Sequence, residues 1–180
     1  MDNKKSLHIR RSMRLKEFDY SNPWWYYVTI CTYQKRKILG EVNNSKMILN
    51  EFGKIVEEKW LKTKEIRKNV DLDYYVIMPN HIHGIIIIES TNNNVVGATR
   101  RVAPTKGKVT LQPGSLGSII GQFKSIVTKR LNKLTSKKDI TIWQRNYYDH
   151  IIRNENDLHR IRTYIHNNPL KWELDEYYKN

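Results

Sequence analysis

His81 and His83 stand two apart in the stretch Met78-Pro79-Asn80-His81-Ile82-His83-Gly84-Ile85-Ile86-Ile87-Ile88-Glu89. Successive side chains on a β-strand alternate faces, so the two imidazoles share one face and Ile82 takes the other. Side by side they can offer nitrogens to one metal ion. Taken alone, the pair would suit the wet face of an antiparallel sheet equally well. Tyr164 and Asn168 lie four apart and stack on one face of a helix. Brought against the histidines, they would complete a metal held by His81, His83 and Asn168 beside a tyrosine hydroxyl. Such a set suits phosphodiester cleavage: Mg²⁺ or Mn²⁺ as Lewis acid and template, and a tyrosine oxygen attacking in line to leave a covalent phosphotyrosine. The nitrogen and oxygen ligands favour Mn²⁺, with Mg²⁺ as the alternative. The chain holds 11 tyrosines, so spacing alone leaves Tyr147 and Tyr148 open as nucleophiles.

The elements that must position these residues can be read in order. Trp24 to Tyr33 is aromatic and β-branched, which predicts a strand. Asn44 or Ser45 caps a helix over about 46–66, where Ile48, Phe52, Ile55, Val56 and Trp60 recur at helical spacing. Val70 to Met78 and His81 to Glu89 form a hairpin around Pro79-Asn80. Ser115 caps a second helix whose stripe runs from Ile119 to Leu134, and residues 139–145 read as a fourth strand. Asn154 caps the last helix, with Glu155 and Asp157 placed well for its dipole and Pro169 ending it near Asn168. The tail beyond it is expected to dock through Trp172 and Leu174. This order is a split βαβ arrangement, an α+β ferredoxin-like fold with an antiparallel sheet of about four to five strands and helices mainly on one face.

Charge narrows the partner. The net charge is +14, with a pI near 9.8. No acidic residue occurs from Ser90 to Lys138, a span carrying Arg100, Arg101, Lys106, Lys108, Lys124, Lys129 and Arg130; Arg10, Arg11 and Arg14 crowd the N-terminus. One-sided basic segments attract a phosphate backbone through steering and counterion release. No basic amphipathic helix with exposed aromatics points instead to a membrane surface, and no apolar run is long enough to span one. The single cysteine, Cys31, excludes an intramolecular disulfide and a cysteine zinc cage. The expected organisation is a basic arm over 1–22, one domain over 23–175 with a long basic loop at 90–114, and a short tail over 176–180, in the cytoplasm at the nucleoid.

Four ordered motifs carry a resemblance: Pro79-Asn80-His81-Ile82-His83-Gly84, Gly121-Gln122-Phe123-Lys124-Ser125, Trp143 to Arg153, and Tyr164-Ile165-His166-Asn167-Asn168-Pro169. Together they resemble the REP-associated tyrosine transposases, members of the HUH (His, hydrophobe, His) superfamily of single-strand DNA nucleases, over about residues 20–175. The resemblance implies a divalent metal at His81 and His83, a polar third ligand at Asn168 and a nucleophile at Tyr164. It implies single-stranded DNA bearing a short hairpin as substrate, cut and rejoined through a 5′-phosphotyrosine by a monomer or homodimer. His150 and Arg153 fall in the third motif, where they would shape the site or bind phosphate, or else take a buried, hydrogen-bonded structural role. Two other readings compete: another HUH nuclease such as a replication initiator, and a non-catalytic ferredoxin-like binder whose first-strand aromatics stack bases.

Overall fold

The computed structural model describes residues 19–90, 112–135 and 140–178. Its centre is a four-stranded antiparallel sheet in the order β4-β5-β1-β6, made of β1 (Trp24–Cys31), β4 (Val70–Met78), β5 (His81–Ile88) and β6 (Tyr148–Ile151). A small hairpin, β2 (Gly40–Asn43) and β3 (Lys46–Leu49), stands apart from it. Three α-helices complete the described residues: α1 (Glu51–Ile66), α2 (Leu116–Thr135) and α3 (Glu155–Asn167). The fold is α+β, as the alternation of strand and helix patterns predicts.

Both faces of the sheet are used. Tyr26, Val28 and Ile30 of β1, with Ile82, Ile86 and Ile88 of β5, join Val56 and Trp60 of α1 and Ile120, Phe123 and Val127 of α2 in the main core. Tyr27 and Ile85 point the other way and pack against Leu158, Ile161 and Ile165 of α3. Two helices therefore share one face, while α3 covers part of the second and leaves the remainder for a site. Among the described residues, no helix is long and apolar enough to cross a membrane.

Two elements differ from the sequence expectation. Residues 46–49 are strand, not the first turn of α1, because Asn44 and Ser45 both take positive φ (48° and 60°) and close a tight hairpin. Asn50 is the actual cap: its side chain accepts from the Gly53 amide at 3.0 Å. The fourth strand lies at 148–151, not 139–145. Ile142 and Trp143 are buried, but their backbone only bridges to the end of β1, through Thr32 opposite Trp143 and Gln144 N–H to the Cys31 carbonyl. The caps at Ser115 and Asn154 stand where expected, accepting from Ser118 and Asp157 amides. Beyond α3 a 3₁₀ segment, Pro169–Leu174, turns the chain back. Trp172 is buried there, whereas Leu174 is 87% exposed and does not dock.

Candidate metal and tyrosine site

The site begins with strand register. β5 pairs with β1 so that Thr29 faces His83 and Cys31 faces His81. Alternation sends Ile82 into the main core and both histidines to the α3 face. Gly84 permits this arrangement, because a Cβ there would lie 2.4 Å from the Trp60 ring. The histidine strand can thus sit flush against the largest side chain of α1.

Each imidazole is oriented by its neighbours. Nδ1 of His81 lies 2.8 Å from Asn80 Oδ1, and the Asn80 amide in turn donates to the Lys35 and Tyr177 carbonyls. Nδ1 of His83 lies 2.7 Å from the Tyr27 hydroxyl and 2.9 Å from Thr29 Oγ1. A proton on each Nδ1 satisfies these contacts and leaves the Nε2 lone pairs pointing into the site. Burial keeps both rings neutral: His81 is held down to about 3, with Lys35 adding to the effect, and His83 lies well below its ordinary value, with His81 adding. Neutral rings are the form a metal requires.

α3 brings in the rest. Ile161 and Ile165 anchor the helix, which sets Tyr164 and Asn168 toward the histidines on the adjacent stripe. The Tyr164 hydroxyl lies 3.3 Å from His83 Nε2, and its ring is 41% exposed. Asn168 is buried; its amide nitrogen donates to Asp175 Oδ2 at 2.7 Å, while its amide oxygen has no partner among the described residues. Asp175 Oδ2 also accepts from the Tyr164 hydroxyl at 3.3 Å. Burial raises the Tyr164 phenol well above its ordinary value, and the Asp175 carboxylate raises it further.

No pattern in the sequence points to Asp175. It lies in irregular chain after the 3₁₀ segment, and only that fold-back carries it to the histidines. His81, His83 and Asp175 offer ligand atoms that all lie within 4.8 Å of one another. His81 Nε2, like Asn168 Oδ1, is buried and unpartnered among the described residues. Two imidazole nitrogens, a carboxylate and an orphaned amide oxygen form a donor set that fits a divalent cation.

The remaining predicted residues disperse. Lys124 is turned inward, donating to the Gln144 and Asn146 carbonyls, and burial lowers its ammonium to about 8. Its place is a clamp on the loop before β6, not an open phosphate contact. Lys129, Arg130 and Arg153 are exposed. His150 holds Asp157 at 2.7 Å near the start of α3. Arg10, Arg11, Arg14, Arg100, Arg101, Lys106 and Lys108 lie outside the described residues. Tyr147 packs against the main core, on the opposite side from the histidines, and Tyr148 stands beside Tyr27. Of the first-strand aromatics, Tyr26 and Tyr27 are buried, whereas Trp24 is exposed and Trp25 half-buried.

The site lies on one face of an α+β fold that recurs among solved structures. A solved REP-associated tyrosine transposase bound to a REP hairpin shares the fold at a TM-score of 0.58 and 17% identity, over 91% of this chain and 77% of that one. The chain belongs to one family with an uncharacterized protein of Haemophilus influenzae, to which it is 40% identical over 174 residues, covering 96% of this chain and 94% of the relative. A second protein of that organism, named "Putative REP-associated tyrosine transposase", is 32% identical over 96 residues, which are 53% of this chain and 47% of that protein. No family model matches the sequence.

Proposed function

We propose that this protein is a metal-dependent tyrosine transposase that cleaves and rejoins single-stranded DNA beside a hairpin, through a 5′-phosphotyrosine. The observation that carries this reading is the Tyr164 hydroxyl, 3.3 Å from His83 Nε2, beside His81 Nε2 and Asn168 Oδ1, both buried and unpartnered among the described residues. A REP hairpin bound by a structural neighbour supports the substrate class. The named relative points the same way.

His81, His83 and Asn168 would hold the ion, with Asp175 completing the set. A divalent ion held there supplies Lewis acidity toward the scissile phosphate. Tyr164 Oη forms a bond to phosphorus as the bond from phosphorus to the 3′ oxygen breaks. The phenol proton passes to the Asp175 carboxylate, 3.3 Å away, and water gives the departing oxygen the proton with which it leaves as a 3′-hydroxyl. Attack by a 3′-hydroxyl on the phosphotyrosine reverses these bonds and joins the strand to a new end. In the resting site, burial and Asp175 keep the phenol protonated, so the nucleophile stays silent until positive charge enters beside it.

A labelled single-stranded hairpin oligonucleotide from the DNA flanking the gene tests the reading on a denaturing gel. Wild type should give a protein–DNA adduct with Mn²⁺ or Mg²⁺ and none with EDTA. Tyr164→Phe and His81→Ala should both lose it. Tight binding without an adduct under any condition would reduce the protein to a binding module. An adduct that survives in Tyr164→Phe would move the nucleophile elsewhere.

A further inference from the structure

Strand β6 is the outer strand of the sheet and pairs with β1 alone among the described residues. Its register sets Tyr148 opposite Thr29, whose hydroxyl holds His83, so the Tyr148 side chain emerges on the face that carries the histidines. The Tyr148 ring meets Tyr27 edge-on at 6.3 Å, and Tyr27 meets Tyr164 edge-on at 6.4 Å. Two ring-to-ring steps therefore lead from Tyr148 to the nucleophile. Tyr148 is 39% exposed, and its hydroxyl has no hydrogen bond among the described residues. A buried packing residue would show neither property.

Positive charge brackets this strand in sequence. Arg145 and Arg153 stand exposed at either end of β6, and neither side chain has an ion pair among the described residues. Of the nearby acids, Asp157 is already bound by His150 and Arg160. An exposed aromatic on an edge strand, with exposed arginines before and after it in the chain, matches a partner that offers an unpaired base and phosphates. A duplex would hide the base faces that an aromatic side chain stacks on.

We infer that the open β6 edge is the track for the unpaired strand at the site, with Tyr148 stacking a base one or two nucleotides from the scissile phosphate and Arg145 and Arg153 holding the backbone. This rests on the tyrosine-nuclease reading for the meaning of "scissile", but the surface itself can be tested without cleavage.

The probe is a fluorescein-labelled 20-nucleotide single strand of mixed sequence, titrated with the full chain in EDTA and followed by anisotropy. Tyr148→Leu should weaken binding about tenfold or more, while Tyr148→Trp and Tyr148→Phe should stay within about twofold of wild type. Arg145→Gln and Arg153→Gln should each lower the slope of log affinity against log salt by about 0.7. Quenching of a 2-aminopurine placed in the single strand should fall in Tyr148→Leu and persist in Tyr148→Trp, a signal that a merely structural tyrosine would not move. Equal binding by wild type and Tyr148→Leu, or no binding of the single strand by wild type, overturns the inference. If Tyr148 governs binding but no metal-dependent adduct ever forms, the track stands and the nuclease reading falls. If an adduct forms while affinity is independent of Tyr148, the nuclease reading stands and the track falls.

Discussion

The Tyr164 hydroxyl sits 3.3 Å from Nε2 of His83, although the two residues are 81 positions apart in the chain. The same hydroxyl donates to Asp175 at 3.3 Å, so the phenol lies between an imidazole nitrogen and a carboxylate. On the proposed mechanism Asp175 would serve twice, as proton acceptor and as candidate ligand. Asp175→Ala should weaken Mn²⁺ binding, measured by titration calorimetry, about tenfold or more. It should also slow adduct formation at saturating metal. Tyr164→Phe should abolish the adduct while leaving Mn²⁺ affinity within about threefold, because the phenol is not among the ligands. If Tyr164→Phe and Asp175→Ala behaved alike in both assays, the division of roles would be wrong.

The Tyr27 and Thr29 hydroxyls reach the candidate metal site through His83 Nδ1. Replacing Tyr27 by Phe removes the hydroxyl 2.7 Å from Nδ1 but keeps the ring that packs against α3. Loss of such an orienting contact typically weakens metal affinity about 10- to 100-fold. Tyr27→Phe should therefore raise the Mn²⁺ dissociation constant on that scale, with little change in the thermal midpoint of the metal-free protein. An unchanged dissociation constant would show that Thr29 alone orients the ring.

The two histidines make stability fall with acidity. Burial keeps His81 near 3 against 6.5 in the unfolded chain, and His83 moves the same way. Below pH 6.5 the unfolded state takes up protons that the folded state refuses, so the metal-free protein loses stability as pH drops toward 4. The slope approaches about 1.4 kcal/mol per pH unit for each group. Urea midpoints recorded from pH 7 to pH 4 should show the decline, and His81→Gln should flatten it. Mn²⁺ at 100 times its dissociation constant should add about 2.7 kcal/mol at pH 7 and progressively less in acid, where protons compete for the same nitrogens.

Gly84 has a packing role that its place beside His83 disguises. A Cβ at this position would strike the Trp60 ring at 2.4 Å, and overpacking of a filled core costs about 1–3 kcal/mol. Gly84→Ala should lower the urea midpoint accordingly and weaken metal binding by displacing β5. Combining it with Trp60→Leu should recover part of both losses. Additive losses in the double variant would show that the ring is not what meets the new methyl group.

The residues of the sequence determined a good deal by themselves. Aromatic and β-branched runs mark β1, β4 and β5, and alternation along β5 already sets His81 and His83 on one face. Asn154 and Ser115 announce the helix starts, and the four-residue spacing of Tyr164 and Asn168 assigns them to one side of α3. Such signals are local, since a strand alternates and a helix repeats whatever else surrounds it. The Asn44-Ser45 hairpin is hidden in the sequence because Ile48 continues the helical period of α1, and only the left-handed backbone at the turn breaks it. Tertiary structure alone decided the rest. Cross-strand register joined Tyr27 and Thr29 to His83, the Asn80 side chain turned onto His81, and the 3₁₀ fold-back delivered Asp175. Each of these contacts depends on how one element meets another, a distance that no residue pattern within either element records.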